Sequence, residues 1–125
     1  MLRELEIKDI LLIDRLSLQF SSGLNAFTGE TGTGKSILLD CLGFVLGARG
    51  QALMVRDEME RGEVVAIFSI ENHDKVNLIL DDADLMKSNE LIIRRVNFSD
   101  GRKAAWVNDK RVSSEFLRNL GLSLI

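Results

Sequence analysis

Apolar and polar side chains alternate along the first twenty residues. Leu5 and Ile7 lie between charged positions, and the alternation returns over 16–20, so this pattern predicts two half-buried strands. Further apolar and β-branched runs predict strands over 24–28, 64–70, 91–98 and 103–107. The turn Ser99-Asp100-Gly101 is expected to join the last two as a hairpin, which Asn108 and Asp109 then end.

A different spacing predicts helices in three places. A helix is predicted from Lys35 to near Gly47. Between Ile37 and Leu46 its side chains leave almost no polar face apart from Asp40, so we expect it to be buried on several sides, with strands around it. Residues 75–86 favour a short helix or turn. A final helix is expected to start at a cap, Ser113 or Ser114, and to end at Gly121, with 122–125 beginning a further strand.

Length and composition limit the classes of protein that remain. A chain of 125 residues, 46% of them apolar, fits one domain over 1–125. With 16 Lys and Arg against 19 Asp and Glu, the net charge of −3 excludes a dedicated nucleic-acid-backbone binder, so any DNA contact is expected to be local. One cysteine and one histidine exclude an internal disulfide and a structural zinc site, and no apolar run reaches the length of a membrane span. A reducing cytoplasm is expected.

One segment carries a phosphate-binding pattern. The run Gly29-Glu30-Thr31-Gly32-Thr33-Gly34-Lys35-Ser36 matches G-x-x-x-x-G-K-[ST] between a predicted strand and a predicted helix. Such a loop points backbone N–H groups at phosphate oxygens, and the helix adds its positive N-terminal end. Lys35 would reach the β and γ phosphates, and Ser36 would place its hydroxyl on Mg²⁺. The alternative is a glycine-rich helix cap with a solvated Lys35.

The sequence around this loop resembles a known family. Residues 27–40, continuing to Leu46-Gly47-Ala48-Arg49, are similar to the N-terminal ATPase segment of RecN, a bacterial DNA repair family related to SMC proteins. The opening residues 2–25, the hairpin with Asp100-Gly101-Arg102 and Trp106-Val107-Asn108, and the helix around 117–120 resemble the same family. The resemblance covers nearly the whole chain.

The resemblance implies an α/β P-loop NTPase, specifically the N-terminal lobe of an ABC/SMC-type head, with mixed and antiparallel strands around a central helix. It implies ATP and Mg²⁺ as ligands, nucleotide contacts from Gly29 to Ser36, and a phosphate- or DNA-sensing role for Arg56, whose alternative is a solvated loop arginine. A complete head also needs a glutamine loop, a signature segment and an acidic strand end (Walker B), which 1–125 lack. We therefore expect an incomplete head that does not hydrolyse ATP alone.

Partners and competing functions follow from the same resemblance. The expected role is in double-strand break repair and recombination, at the nucleoid, with DNA bound through a larger assembly and with a second chain or C-terminal half completing the head. One alternative is a non-enzymatic remnant or interaction module, and a less favoured one is a small P-loop kinase, which would need a strand-helix alternation and an arginine-rich lid.

Other residues have two possible roles each. The hairpin region holds six cations that form either a DNA-facing patch or an ordinary charged surface: Arg94, Arg95, Arg102, Lys103, Lys110 and Arg111. Trp106 is expected to pack rather than to stack on bases, Cys41 to be a buried small hydrophobe, and His73 to be a turn residue.

Overall fold

The computed structural model describes residues 1–20, 32–48, 55–71, 73–85 and 89–124, with the backbone alone for 32–36. These residues form six strands and three helices. The strands are β1 (Leu2–Ile10), β2 (Ile13–Gln19), β3 (Arg61–Ser69), β4 (Glu90–Phe98), β5 (Lys103–Val107) and β6 (Lys110–Val112). The helices are α1 (Gly32–Val45), α2 (Asp74–Asp82) and α3 (Ser114–Leu124).

The strands form one sheet in the order β2-β1-β3-β4-β5-β6. Ile7 of β1 is paired with Leu16 on one side and with Val64 on the other. Every strand pairing within the described residues is antiparallel, so the antiparallel part of the predicted architecture is confirmed. The predicted strand over 24–28 lies outside the described residues.

The two faces of the sheet differ in burial, as the period of two in the sequence predicts. Along β3, buried Val64, Ala66 and Phe68 alternate with half-buried Glu63 and Val65. The buried set joins side chains from α1 and from the neighbouring strands in one core. The opposite face carries half-buried and charged residues, and we call it the open face.

Helix α1 packs on the buried face. Cys41, Phe44 and Val45 are fully buried, whereas Leu39 is 44% exposed. The expectation of a helix buried on several sides, with strands around it, therefore needs correction for the described chain, in which the sheet covers one broad side of the helix. The helix also starts at Gly32, three residues earlier than the sequence predicted.

Strand β6 was not predicted. Asn108 and Asp109 have φ values of 47° and 68° and connect β5 to β6 through the pair Val107 and Lys110. Two consecutive positive φ values are the requirement of a type I′ hairpin turn, and Asn and Asp adopt them more readily than other side chains. These residues do end the first hairpin, and they also start a second one.

Helix α3 begins where the sequence predicts and ends later. Ser113 caps the helix, because its Oγ accepts a hydrogen bond from the N–H of Phe116 at 3.0 Å. The helix continues through Gly121 to Leu124, so Gly121 is not its end and 122–124 do not begin a strand. The spacing of Leu117, Leu120 and Leu124 places these apolar residues on one helical face, so Leu124 continues the pattern of the helix.

A candidate nucleotide-binding site on helix α1

The second half of the phosphate-loop motif forms the start of α1. Gly32, Thr33, Gly34 and Lys35 occupy its first turn, while Gly29, Glu30 and Thr31 lie outside the described residues. The first four N–H groups of an α-helix have no partner within the helix, and the aligned peptide dipoles make this end positive. The donor set fits a triphosphate with its metal ion. Backbone amides and a lysine ammonium donate to phosphate oxygens, and a serine hydroxyl oxygen is a ligand that Mg²⁺ accepts. The side chains of Lys35 and Ser36 lie outside the described part of the chain.

The other end of α1 is fixed by a tight glycine turn. Gly47 has a φ of 81°, and its N–H donates to the carbonyl of Phe44 at 3.0 Å, while the N–H of Ala48 donates to the carbonyl of Gly43 at 3.0 Å. Glycine adopts this left-handed conformation without the steric cost that a side chain brings. The turn therefore ends α1 and satisfies carbonyls that the helix leaves open.

Arg95 of β4 completes that end. Its Nη1 donates to the carbonyl of Phe44 at 3.0 Å, its Nη2 lies 3.5 Å from Oγ of Ser114, and its guanidinium carbon is 4.9 Å from the centre of the Phe44 ring. A cation at a helix C-terminus stabilises the helix dipole. Burial lowers the pKa of Arg95, and its Nε donates to none of the described residues. Arg95 thus connects the end of α1 to the start of α3.

Two glycines let α1 and α3 approach closely. A Cβ on Gly121 would overlap the carbonyl oxygen of Leu46, and one on Gly47 would lie 2.9 Å from the backbone nitrogen of Arg118. Both obstacles are backbone atoms, which cannot turn aside as a flexible side chain can. The contact therefore requires glycine at both positions and sets where α1 lies relative to α3.

Arg56 lies beside the C-terminal end of β1. Its N–H donates to the carbonyl of Asp9 at 2.8 Å, beside an isolated bridge between Ile10 and Val55. Its Nη1 is 3.1 Å from Oδ1 of Asp14 and 3.5 Å from Oδ1 of Asp9. The guanidinium of this partly exposed loop residue is thus held by two carboxylates of the β1–β2 hairpin.

Cys41 and His73 have the structural surroundings that the sequence predicted. Burial, and secondarily the nearby charge of Asp40, raises the pKa of Cys41 to about 12, so the thiol stays protonated at neutral pH. His73 precedes α2, and its Nδ1 accepts a hydrogen bond from the N–H of Val76 at 3.4 Å.

The cations of the hairpin region do not share one surface. Arg95 is buried against α1, whereas Arg94 lies on the open face, where its Nε is 2.6 Å from Oε2 of Glu63. Trp106 packs between cations, with the guanidinium carbons of Arg94 and Arg111 at 4.5 and 5.2 Å from its ring. Its role in packing is confirmed. A single patch of six cations is not formed, because adjacent strand residues point to opposite faces.

Comparison with protein-family models gives a match to an AAA domain over residues 4–121. This covers nearly all of the chain. The chain belongs to the AAA domain family. Within the described ranges, no helix of this AAA domain has the length and apolar character needed to cross a bilayer.

The curated relatives of this AAA domain include DNA repair protein RecN from several bacteria. The chain is 40% identical over 125 residues to RecN of Vibrio cholerae, covering 100% of this chain and 23% of that protein. It is 36% identical over 125 residues to RecN of Xylella fastidiosa, covering 100% of this chain and 22% of that protein. The resemblance to the N-terminal segment of RecN is therefore confirmed, and the chain spans less than a quarter of the length of these relatives.

Solved structures show the same fold. The Smc head domain with a coiled coil and joint from Pyrococcus yayanosii matches with a TM-score of 0.71 at 22% identity, covering 99% of this chain and 25% of that one. At this identity the match bears on the fold alone. The AAA domain described here therefore has the fold of the N-terminal lobe of an SMC head.

Sequence reasoning missed the contacts of three polar residues of this AAA domain. Asp9 and Asp14 hold Arg56, and Arg95 holds the end of α1, yet none of the three stands in a motif. For Arg95 a weak signal existed, since an arginine at a core position of a buried strand needs an acceptor inside the protein.

Proposed function

We propose that this AAA domain is the nucleotide-binding N-terminal lobe of a RecN-like head that acts in DNA double-strand break repair and recombination in the bacterial cytoplasm, at the nucleoid. The residues from Gly29 to Ser36 bind the triphosphate of ATP, Lys35 contacts its terminal phosphates, and the hydroxyl of Ser36 is a ligand of Mg²⁺. The observation that supports the proposal is the position of Gly32–Lys35 in the first turn of α1, where unpaired amides and the helix dipole favour an anion.

The anchoring of α1 supports the same conclusion. A phosphate-binding turn holds its amides in place only if the helix behind it is fixed. Here Phe44 is fully buried, Arg95 binds its carbonyl, and Gly121 packs directly on the following turn at Leu46. Preorganised donors bind an anion more tightly because they lose little conformational entropy on binding.

Hydrolysis requires more than this lobe contains. Phosphoryl transfer needs a group that orients the attacking water, and residues 1–125 offer the phosphate cradle without the acidic strand end, signature segment and glutamine loop. We propose that ATP turnover occurs when a second chain or a C-terminal half supplies those groups, and that DNA is bound by that larger assembly.

Titration calorimetry tests the nucleotide site directly. ATP should bind the chain in the presence of Mg²⁺, and Ser36→Ala should weaken binding with Mg²⁺ more than binding in EDTA, because the hydroxyl acts through the metal. Ser17→Ala, on the exposed side of β2, is the matched control and should bind as the parent does. Equal affinities of the parent and Ser36→Ala under both conditions would remove Ser36 from the site.

Arg56 is the proposed phosphate or DNA sensor. Arg56→Gln should weaken the binding of a labelled duplex oligonucleotide or of ATP, and the effect should shrink as salt is added, because phosphate contacts are screened. Unchanged affinity for both ligands would reduce Arg56 to a structural residue of the β1–β2 hairpin.

A further inference from the structure

Arg56 is bound to the β1–β2 hairpin through its backbone and its side chain at once. The backbone N–H donates to the carbonyl of Asp9 at 2.8 Å, and Nη1 is 3.1 Å from Asp14 and 3.5 Å from Asp9. The side chain of Arg56 is 37% exposed, so solvent and solutes reach the guanidinium. Both carboxylates contact the same nitrogen, Nη1, so an anion that binds this edge of the guanidinium must displace one or both of them.

The two carboxylates differ in how firmly they are placed. The side chain of Asp9 is only 12% exposed, and its Oδ1 accepts no hydrogen bond from the described residues, so Arg56 is its source of opposite charge there. A Cβ on Gly62 would meet the carbonyl of Asp9, which shows how closely β3 packs against this residue. Asp9 is thus a fixed partner, and leaving it without a cation would be costly.

Asp14 is the exchangeable partner. Its side chain is 78% exposed, and its contact with Arg56 joins two residues that are far apart in sequence. Exposed ion pairs contribute little and are screened by salt, because water solvates both charges when they separate. An incoming phosphate oxygen can therefore replace the Asp14 carboxylate at small cost while Asp9 retains the guanidinium.

We propose that Asp14 is a positioning residue, a carboxylate that occupies Arg56 until a phosphate oxyanion displaces it. The inference rests on the proposed sensing role of Arg56. Asp14 lowers the affinity of Arg56 for the ligand, and it holds the guanidinium at the hairpin when no ligand is bound. The phosphate comes either from a DNA backbone or from a nucleotide, and the two arms of the experiment distinguish these sources.

A double-mutant cycle tests the proposal. Affinities for a labelled DNA duplex and for ATP are measured for the full chain, Asp14→Asn, Arg56→Gln and the double variant. Asp14→Asn should tighten binding of one of the two ligands by about two- to fivefold, the range expected for an exposed ion pair, and this gain should vanish when Arg56 is glutamine. Thermal unfolding of each variant checks that the fold is retained.

Asp57→Asn is the matched control. Asp57 is an exposed carboxylate next to Arg56 in sequence, and its substitution changes the net charge by the same amount as Asp14→Asn. A general charge effect would improve binding equally in Asp14→Asn and Asp57→Asn, and that result overturns the proposal. A gain from Asp14→Asn that persists in the Arg56→Gln background overturns it as well. If Arg56→Gln alone changes the affinity for neither ligand while ATP still binds, the sensing role and this inference both fail. The proposed binding of ATP by the phosphate loop is then unaffected.

Discussion

The guanidinium of Arg95 and the carbonyl of Phe44 join the sheet to the end of α1, with 3.0 Å between Nη1 and the oxygen. The same guanidinium stacks on the Phe44 ring at 4.9 Å. A planar, weakly hydrated cation suits this buried position, because it can donate a hydrogen bond from its edge and contact a ring with its face.

Lysine should be a poor substitute for Arg95. Arg95→Lys should lower the free energy of unfolding by about 1–3 kcal/mol, since a compact, strongly hydrated ammonium would be buried without the stacking contact. Arg95→Met should cost less than Arg95→Lys, because removing a buried charge also removes its desolvation penalty. Urea unfolding of the three proteins checks the order, and a lysine variant as stable as the parent would contradict it.

Alanine at position 121 should destabilise the domain, although alanine favours helices over glycine. The added methyl would overlap the carbonyl oxygen of Leu46, so α1 and α3 must separate, with an expected loss of about 1–3 kcal/mol. Asn119→Ala, at an exposed position of the same helix, gives the propensity effect alone and should be neutral or slightly stabilising. Equal melting temperatures for the two variants would show that there is no steric constraint between α3 and the end of α1 at Gly121.

The turn between β5 and β6 offers a stabilising substitution. Asp109 has a φ of 68°, which glycine adopts without strain, so Asp109→Gly should raise the free energy of unfolding by about 0.5 kcal/mol. Asp109→Ala should lower it by about 1 kcal/mol, because a Cβ without local hydrogen bonding is disfavoured there. Denaturant midpoints of the two variants should therefore move in opposite directions, and a shift of both in the same direction would contradict this assignment of the turn.

Cys41 gives a pH dependence with a definite sign. Its pKa is about 12 in the folded chain against a reference of 9.0, so the folded state retains the proton over a range in which the unfolded state loses it. Stability from this group is complete below about pH 9 and falls as the pH rises toward 12, by at most about 1.4 kcal/mol per pH unit. Cys41→Ala should lack this decline when unfolding is followed from pH 8 upward. Parallel curves for parent and variant would mean that the thiol is not shielded.

The sequence was sufficient where a local pattern determines the structure. Alternation of apolar residues located β1 and β2, and apolar and β-branched runs located β3, β4 and β5. The spacing of Gly29 to Ser36 located the start of α1 to within three residues. It was insufficient where contacts distant in sequence decide. A glycine such as Gly121 commonly ends a helix, but here it lies inside α3, where the backbone of Leu46 leaves no room for a side chain.

The polar contacts around Arg56 and Arg95 show the same limit. Arg56 meets Asp14 only because Val55 pairs with Ile10, and no local pattern predicts that bridge. Arg95 and Arg94 are adjacent in sequence and equally charged, yet one is buried and the other faces Glu63. Which of two neighbouring arginines points inward depends on strand register, which is set by the whole sheet.

The central claim, that the first turn of α1 binds a triphosphate, is tested most directly by nucleotide-dependent stabilisation. With Mg²⁺ and ATP at a hundredfold excess over the dissociation constant, the chain should gain about 2.7 kcal/mol of unfolding free energy. Lys35→Ala should lose that gain, whereas Lys110→Ala, an equal charge change at the exposed β5–β6 turn, should keep it. An identical gain in all three proteins, or none in the parent, would contradict the account.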